Sequence, residues 1–224
     1  ATDTVTLNFD RPPNFEEYLP GQHVQLSINL AGEQVSRSYS ICTSPHLDKH
    51  LALTIRHIPE GRLSGYLVRH ARPGMEVTLA GPYGNFVAAP VPAQQRHLLL
   101  FAAGSGITPL YSILRSMLYR ETGTNVSLVY ANHAADRIIF YKQLQELEQK
   151  FAGRFIVYHV LSEIADFSGG DSSLIKGPLS RLIVKKLTQL LLERHKQQPS
   201  FYLCGPAGFM KLVENAVTSL NVPA

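Results

Sequence analysis

Cysteine is scarce in this sequence and tryptophan is absent. The 224 residues include two cysteines, Cys42 and Cys204, and no tryptophan. Two thiols cannot build a disulfide framework, nor can they supply the four ligands of a structural zinc site or an ordinary iron–sulfur cluster. We therefore predict no metal site and reduced thiols, which favours a cytoplasmic setting.

Long apolar runs and a dominant charge are also missing. The longest apolar run, His97–Ala103, has the length of a strand and falls far short of the roughly 18 residues of a membrane-spanning helix. The first residues, Ala1–Asp3, have neither the basic start nor the apolar core of a signal peptide. The net charge is +4, from 21 basic and 17 acidic residues, and the basic residues are scattered. This pattern is typical of a solvated surface, so we expect no nucleic-acid partner and no membrane partner.

The first part of the chain has the periodicity of β-strands. Within residues 1–90, apolar residues alternate with polar ones at Val5–Phe9, Val24–Ile28 and Leu51–Ile55. Alternation with a period of two, broken by Pro–Gly turns, predicts a small antiparallel barrel or sandwich. One interruption, Gly61–His70, predicts a short helix.

The second part alternates between apolar strands and amphipathic helices. Residues 91–96 form a polar, proline-bearing linker, and a domain over residues 97–224 follows it. Four apolar runs predict buried parallel strands at His97–Ala103, Val126–Ala131, Phe155–Leu161 and Phe201–Cys204. Each run precedes a helical stripe predicted to be core, the third being Leu179, Leu182, Ile183, Leu187 and Leu190. Four βα units predict a doubly wound parallel sheet, whose ligands bind at the carboxyl ends of the strands.

The first of these strand ends carries a glycine turn, Gly104-Ser105-Gly106-Ile107-Thr108-Pro109. Glycines let backbone amides approach a phosphate closely, and the N-terminus of the following helix adds partial positive charge. The third glycine of the dehydrogenase fingerprint is replaced by Pro109, and no Walker lysine is present. The motif therefore predicts a nucleotide site, while a purely structural tight turn remains an alternative.

Three further segments carry groups suited to nucleotide binding. Cys204–Met210 places a thiol beside a second glycine turn at the last strand end. Arg37–Ser40 offers a forked cation for a diphosphate, an aromatic face for stacking and a small hydroxyl. Gly61–Ser64 opens the predicted short helix and forms a second anion site of the same physical type. Taken singly, Cys204 could be an inert buried thiol and Arg37–Ser40 an exposed strand edge.

Five motifs in this order resemble the ferredoxin–NADP reductase superfamily, and within it the reductase components of bacterial oxygenases. They are R-S-Y-S at 37–40, E-G-R-L-S at 60–64, G-P-Y-G-N-F at 81–86, G-S-G-I-T-P at 104–109 and C-G-P-A-G-F-M at 204–210. The resemblance covers nearly the whole chain. It implies an N-terminal antiparallel β-barrel that binds FAD, followed by a doubly wound parallel-sheet domain that binds NAD(P).

The resemblance also implies roles for residues of the flavin domain. Arg37 would hold the flavin diphosphate, Tyr39 would stack on the isoalloxazine, and Ser40 would approach flavin N5 as a catalytic residue. Further flavin contacts are implied for Ser38, Ile55, Arg56, Gly61, Arg62, Leu63, Ser64 and Phe86. The motif that contains Phe86 implies FAD rather than FMN.

In the second domain, the resemblance implies contacts with the nicotinamide dinucleotide. They fall on Gly104, Ser105, Gly106, Thr108, Pro109, Cys204, Gly205, Pro206 and Met210. Because ligands of such sheets bind at the carboxyl ends of the strands, we also expect the adenosine ribose at Asn132-His133 and at Ser162-Glu163. Cys204 would lie near nicotinamide C4 as the second catalytic residue. Glu163 stands where NADPH-using relatives often have arginine, which favours NADH over NADPH. The alternative is that Glu163 points into solvent while His133 or Arg137 receives a 2′-phosphate.

The function implied by the resemblance is reduction of FAD by NAD(P)H, with onward transfer of electrons to an iron–sulfur ferredoxin domain or a partner oxygenase. Such chemistry needs no strong general acid or base, in keeping with a sequence that has no triad or carboxylate pair. Two alternatives are a freestanding flavin or ferredoxin reductase and a non-catalytic nucleotide-binding module. Relatives have a strand before Asp3 and another after residue 224, so we expect an excised flavin/nicotinamide module.

Overall fold

The computed structural model describes residues 1–163 and 173–220. The strands in these ranges are β1 (Thr4–Asp10), β2 (His23–Leu30), β3 (Glu33–Ser40), β4 (His50–Arg56), β5 (Thr78–Tyr83), β6 (His97–Ala103), β7 (Asn125–Asn132), β8 (Phe155–Leu161), β9 (Leu174–Lys176) and β10 (Pro199–Cys204). The helices are α1 (Arg62–His70), α2 (Ile107–Arg120), α3 (Tyr141–Lys150), α4 (Arg181–Arg194) and α5 (Ala207–Thr218). None of the described helices is long and apolar enough to cross a membrane.

The chain divides into two compact units. The antiparallel unit consists of Thr2–Pro90 and Thr108–Ser116. The α/β unit consists of Ala1, Val91–Ile107 and Met117–Ala224, of which residues 164–172 and 221–224 lie outside the described ranges. The first half of α2 thus groups with the antiparallel unit, which the apolar stripe of that helix does not indicate. The domain limits at residues 90 and 97 stay a prediction.

The antiparallel unit is built from two sheets, β1-β4 and β3-β2-β5, with one bridge between Ile41 and Leu53. The alternating residues of β2 lie inside, because Val24 and Leu26 are fully buried. The β2–β3 hairpin turns on two residues, Ala31 and Gly32, with φ of 53° and 86°. Positive φ at both positions matches the twist of the flanking strands, so the turn fixes the register of this hairpin.

The α/β unit contains a parallel sheet with the strand order β10-β6-β7-β8-β9 in the described ranges. The four predicted strands are present, and β9 is a fifth that the sequence did not indicate, because three residues are too few to show a periodicity. Val184 of α4 and Val213 of α5 pack with Phe101 in one buried cluster, so these two helices cover one face of the sheet. The observed architecture confirms the predicted fold class.

The predicted buried face of α4 is wrong at two positions. Leu182 and Leu190 are 61% and 49% exposed. The buried residues of this helix are Val184, Leu187, Thr188 and Leu191. At about 100° per residue, Leu182 lies opposite that face. Leucine is so frequent in α4 that helical periodicity allows more than one apolar face. The observed buried face also includes a polar residue, Thr188, whose Oγ1 donates a hydrogen bond to Val184 O at 2.8 Å.

A buried carboxylate secures the end of α2 within the α/β unit. Glu121 is fully buried and accepts hydrogen bonds from Arg96 Nη2 at 2.6 Å and from Val91 N at 2.8 Å. Arg154 donates from its guanidinium to the carbonyls of Leu118 at 2.7 Å and Glu121 at 2.6 Å, which are among the last carbonyls of the helix. The charge is compensated, and residues 91–96, predicted as a linker, are attached to this helix end at both of their termini.

Candidate functional site

Two glycine turns lie next to each other at the carboxyl edge of the parallel sheet. The register of β10 against β6 places Cys204 beside Ala102, so the turns after these strands are neighbours. A Cβ atom on Gly106 would lie 2.1 Å from the carbonyl oxygen of Cys204 and 2.8 Å from the nitrogen of Gly205. Only glycine permits this backbone contact. The turn at Gly104–Gly106 and the turn at Cys204–Gly205 are therefore brought together inside the α/β unit.

Each of these turns leads into a helix that has no side-chain cap. The residues preceding α2 and α5 are Gly106 and Pro206, and neither makes a side-chain hydrogen bond to the first turn. The first amides of a helix have no partner within the helix and carry partial positive charge. The sheet edge therefore presents the type of backbone donors that bind a phosphate.

Cys204 itself is half-buried at the end of β10. Burial raises the pKa of its thiol, which keeps the group neutral at neutral pH. The thiol is therefore suited to contact with a neutral ring rather than to nucleophilic attack. Among the other predicted contacts of the two motifs, Thr108 and Pro109 are buried, Ser105 and Pro206 are exposed, and Met210 is 38% exposed.

One buried side chain contacts the first glycine turn and was not predicted. Tyr130 in β7 is fully buried, and its phenol donates a hydrogen bond to Gly104 O at 2.9 Å. The phenol oxygen also accepts a hydrogen bond from Ile139 N at 3.3 Å. Within an apolar strand this tyrosine has the pattern of an ordinary core residue, and its position opposite a glycine turn depends on strand order, which a single periodic segment does not show.

The end of β7 carries a buried amide without partners. Asn132 is 8% exposed, and neither atom of its side-chain amide has a hydrogen-bond partner among the described residues. Buried polar groups in folded proteins are nearly always satisfied. A polar ligand or an ordered water at this strand end would satisfy the amide, which fits the predicted role of Asn132 in holding the dinucleotide.

The ends of β7 and β8 also bring a histidine to the predicted residues Ser162 and Glu163. The ring of His133 lies between them, with Nδ1 2.9 Å from Ser162 Oγ and Nε2 3.1 Å from Glu163 Oε1. A backbone bond from Glu163 N to His133 O, 2.7 Å long, joins the two strand ends. The side chains of His133 and Glu163 are about two-thirds exposed, at 67% and 66%. The sequence shows no metal-ligand spacing around His133, and the ring lies on the surface, in contact with both predicted residues.

In the antiparallel unit, the R-S-Y-S motif lies at the end of β3. Arg37 is exposed, and its Nη1 donates a hydrogen bond to the carbonyl of Ser36 at 2.7 Å. Tyr39, two residues further on, points to the same side of the strand. Tyr39 is half-buried, and burial raises the pKa of its phenol. Ser38 is exposed and Ser40 is half-buried, so the motif offers an accessible cation beside an aromatic ring.

The helix α1 begins close to the same strand. Arg62, its first residue, forms an exposed ion pair with Glu33 of β3 at 2.9 Å. Gly61 precedes the helix without a capping side chain, and a Cβ there would lie 2.4 Å from Ser64 Oγ. Ser64 Oγ instead accepts a hydrogen bond from Ile58 N at 3.3 Å. The first-turn amides of α1 are thus the groups of this segment suited to an anion.

The remaining predicted flavin contacts have mixed surroundings. The side chains of Ile55 and Leu63 are buried in the core of the unit, so only their backbone can face a ligand. Arg56 forms an ion pair with Asp3 at 3.3 Å. The side chain of Phe86 is 38% exposed. The backbone carbonyl of Phe86 packs closely on Gly21, because a Cβ on that glycine would lie 2.2 Å from the carbonyl oxygen.

Comparison with known proteins agrees with both halves of this description. A family model described as an oxidoreductase FAD-binding domain matches residues 1–87, and one described as an oxidoreductase NAD-binding domain matches residues 100–215. The chain therefore belongs to the ferredoxin–NADP reductase superfamily, with an FAD-binding domain followed by an NAD-binding domain. The predicted family and its two cofactor types are confirmed.

Several curated relatives are parts of oxygenases. The chain is 36% identical over 214 residues to the ferredoxin reductase component of 3-ketosteroid-9-alpha-monooxygenase from Mycobacterium tuberculosis, covering 95% of this chain and 54% of that protein. It is 32% identical over 224 residues to one of the subunits of 1,2-phenylacetyl-CoA epoxidase from Escherichia coli, covering 99% of this chain and 61% of that protein. The chain thus spans about half to three-fifths of the length of these relatives.

A solved structure with the same fold is that of the CS-b5R domains of human Ncb5or in its NAD+ form. It matches with a TM-score of 0.80 and 26% identity, over 99% of this chain and 63% of that chain. The likeness extends over both units, so the order of an antiparallel unit and a parallel α/β unit is shared with a protein solved in an NAD+ form.

Proposed function

We propose that this protein is an FAD-dependent NAD(P)H reductase that takes hydride from reduced nicotinamide and passes electrons to an iron–sulfur ferredoxin domain or an oxygenase component. The observation that carries the proposal is that each unit has its own nucleotide-type site. One consists of an exposed arginine and the uncapped start of a helix, and the other of a glycine turn packed against the backbone of the half-buried residue Cys204. Both lie in domains of the matching cofactor family.

The residues of the antiparallel unit fit FAD. Arg37 has an exposed guanidinium with donors for a diphosphate, and the first-turn amides after Gly61 add a second anion-binding element. Tyr39 supplies an aromatic face for the isoalloxazine, and the hydroxyl of Ser40 is the group proposed to donate to flavin N5.

The residues of the α/β unit fit a nicotinamide dinucleotide. The turn at Gly104–Gly106 presents backbone donors, and the amide of Asn132 is buried without a partner among the described residues. The neutral thiol of Cys204 is proposed to pack against the nicotinamide and hold its orientation. When bound, the two cofactors supply the hydride and electron chemistry, and the protein supplies binding and orientation.

We assign NADH as the preferred coenzyme on the basis of Glu163. Its carboxylate stands at the β8 end, paired with His133 at 3.1 Å. A carboxylate there accepts hydrogen bonds from ribose hydroxyls and repels a 2′-phosphate. Solvent screening reduces that repulsion, because the side chain of Glu163 is 66% exposed.

The proposed acceptor follows from the relatives and from the cysteine count. The relatives described above are a ferredoxin reductase component of a ketosteroid monooxygenase and a subunit of phenylacetyl-CoA epoxidase. With two cysteines in 224 residues, this sequence cannot ligate a four-cysteine cluster of its own. Electrons would therefore leave the flavin for another domain or protein. A reducing cytoplasmic setting belongs to the same proposal and accords with the free thiols of Cys42 and Cys204.

The experiment is to purify the chain, measure FAD per protein and follow ferricyanide reduction by NADH. We expect a yellow protein that reduces ferricyanide, and electron delivery to an oxygenase only after an iron–sulfur protein is added. A protein that binds FAD and NADH without oxidising NADH would be a non-catalytic module. A protein that retains no flavin but reduces added flavin would be a freestanding flavin reductase. Either result contradicts the proposal.

A further inference from the structure

Tyr130 has a position that packing alone does not explain. It lies in β7, whose neighbours on both sides are β6 and β8, and its ring is fully buried. Its phenol oxygen lies 2.9 Å from Gly104 O and 3.3 Å from Ile139 N. A single hydroxyl therefore connects the turn after β6 with the loop after β7, two loops at the same edge of the sheet.

The bond to Gly104 fixes the orientation of a peptide group. The carbonyl of Gly104 also accepts a hydrogen bond from Ile107 N, so Tyr130 is not needed to satisfy that oxygen. Gly104 has a φ of 53°, in the left-handed region, and without a Cβ its backbone has little steric preference among orientations of the following peptide. In a planar trans peptide the N–H points opposite to the preceding C=O. Holding the Gly104 carbonyl toward Tyr130 therefore directs the Ser105 N–H away from it.

The bond to Ile139 attaches the second loop to the same hydroxyl. Ile139 is 2% exposed and precedes Phe140, whose φ of 62° marks a strained entry into α3. The hydroxyl accepts from Ile139 N while it donates to Gly104 O. A phenylalanine at this position would keep the ring and lose both bonds.

We propose that Tyr130 is a positioning residue for the pyridine nucleotide. Its hydroxyl sets the direction of the Ser105 N–H, so that this amide donates to the pyrophosphate of the bound dinucleotide. The inference rests on the proposed function, because it requires the Gly104–Gly106 turn to bind that pyrophosphate. Tyr130 does not contact the reacting atoms, so its loss weakens nucleotide binding and leaves the chemical step unchanged.

The test is Tyr130→Phe in the FAD-loaded protein, with Tyr158→Phe as the matched control. Tyr158 is a half-buried tyrosine in the neighbouring strand β8. Calorimetric titration with ADP-ribose and with NAD+ measures binding without turnover. We expect Tyr130→Phe to raise both dissociation constants by about five- to twentyfold, the loss of one well-directed hydrogen bond. KM for NADH rises in parallel, while kcat, FAD content and the control variant stay within about twofold of wild type.

A dissociation constant for ADP-ribose within about twofold of wild type would overturn the inference, even if the melting temperature of Tyr130→Phe falls. If wild type itself binds neither ADP-ribose nor NAD+, the proposed function fails and not this inference alone. If Tyr130→Phe does not fold, the amide resonances of the wild-type protein test the inference instead. A large downfield shift of the Ser105 amide proton on addition of ADP-ribose supports the inference, and an unmoved Ser105 resonance contradicts it.

Discussion

The two units offer a nucleotide different kinds of groups. In the antiparallel unit, the predicted flavin contacts are side chains on the surface of a strand, such as Arg37, which is exposed. In the α/β unit, the predicted contacts with the dinucleotide begin with backbone groups of turns whose shape depends on close packing, such as Gly106 against the Cys204 carbonyl. Damage to the first site should therefore follow from loss of a functional group. Damage to the second should follow from a change of shape.

The largest effect is expected from Gly106→Ala, which tests whether the shape of the α/β turns depends on close packing. The added Cβ would lie 2.1 Å from the Cys204 carbonyl, so the two turns must separate. We expect a loss of stability on the order of 3 kcal/mol together with loss of NAD+ binding. Gly208→Ala is the matched control, because a Cβ there meets nothing within 4 Å. Urea unfolding and NAD+ titration measure both effects, and equal behaviour of the two variants would refute the close-packing account.

Acid should weaken the α/β unit through His97. This side chain is fully buried, its Nε2 lies 2.9 Å from Ser127 Oγ, and its ring packs edge-on against His195. Burial, and then the charge of His195, lower the pKa of His97 to about 4. Because the unfolded chain binds the proton near pH 6.5, stability is complete above that pH. It declines by on the order of 3 kcal/mol as the pH falls to about 4.

Thermal unfolding across that pH range tests the role of His97. His97→Gln retains an amide that can hydrogen-bond to Ser127 and cannot titrate. We expect its melting temperature to depend less on pH than that of wild type. Identical pH profiles for the two proteins would assign the acid sensitivity to other groups.

In the antiparallel unit, Arg37→Ala should act on the flavin alone. It removes charge-assisted hydrogen bonds worth about 1.5–3 kcal/mol, which lowers the affinity for FAD roughly ten- to a hundredfold. Arg72→Ala removes another exposed arginine of the same unit and should keep FAD. Absorbance per protein after dilution measures retention. An unchanged affinity of Arg37→Ala for FAD would contradict this prediction. A melting temperature as low as that of Gly106→Ala would show that both sites are damaged by a change of shape, so that the two units would not differ.

A substitution of Glu163 tests whether a side chain of the α/β unit determines the preference between NADH and NADPH. Glu163→Arg replaces the partner of His133 with a cation that attracts a 2′-phosphate. We expect the ratio of kcat/KM for NADH over NADPH to fall by about tenfold. The change is not expected to be larger, because solvent screens the charge of a side chain as exposed as that of residue 163. Ferricyanide assays with both coenzymes measure the ratio. A wild type that prefers NADPH, or a ratio unmoved by the substitution, would show that Glu163 does not read the ribose.

The smallest effect is expected in the β2–β3 turn. Ala31 has a φ of 53°, which strains an alanine, whereas asparagine tolerates it better. Ala31→Asn should raise the free energy of unfolding by about 0.5 kcal/mol, and Gly32→Ala at a φ of 86° should lower it by about 1 kcal/mol. Neither substitution should change FAD content. Urea unfolding checks the sign, and a stabilised Gly32→Ala would contradict this description of the turn.

The features that can be predicted from sequence are those encoded by local pattern. Period-two alternation locates β1, β2 and β4, and Gly104 and Gly106 mark a strand-to-helix turn. The features that local pattern misses depend on contacts between distant segments. Tyr130 contacts a carbonyl 26 residues earlier in the chain, and His133 contacts Ser162 at the end of the neighbouring strand. The exposure of Leu182 shows the same limit, because helical periodicity in a leucine-rich segment allows more than one buried face.

The most direct test of the two-site account is anaerobic mixing of the FAD-loaded protein with one equivalent of NADH. We expect the visible absorbance of the flavin to be lost in a single turnover. Loss should be complete in wild type and should slow at low NADH in Tyr130→Phe. In Arg37→Ala, loss should scale with the FAD retained. Bound flavin that keeps its absorbance in the presence of excess NADH and NADPH would contradict the account.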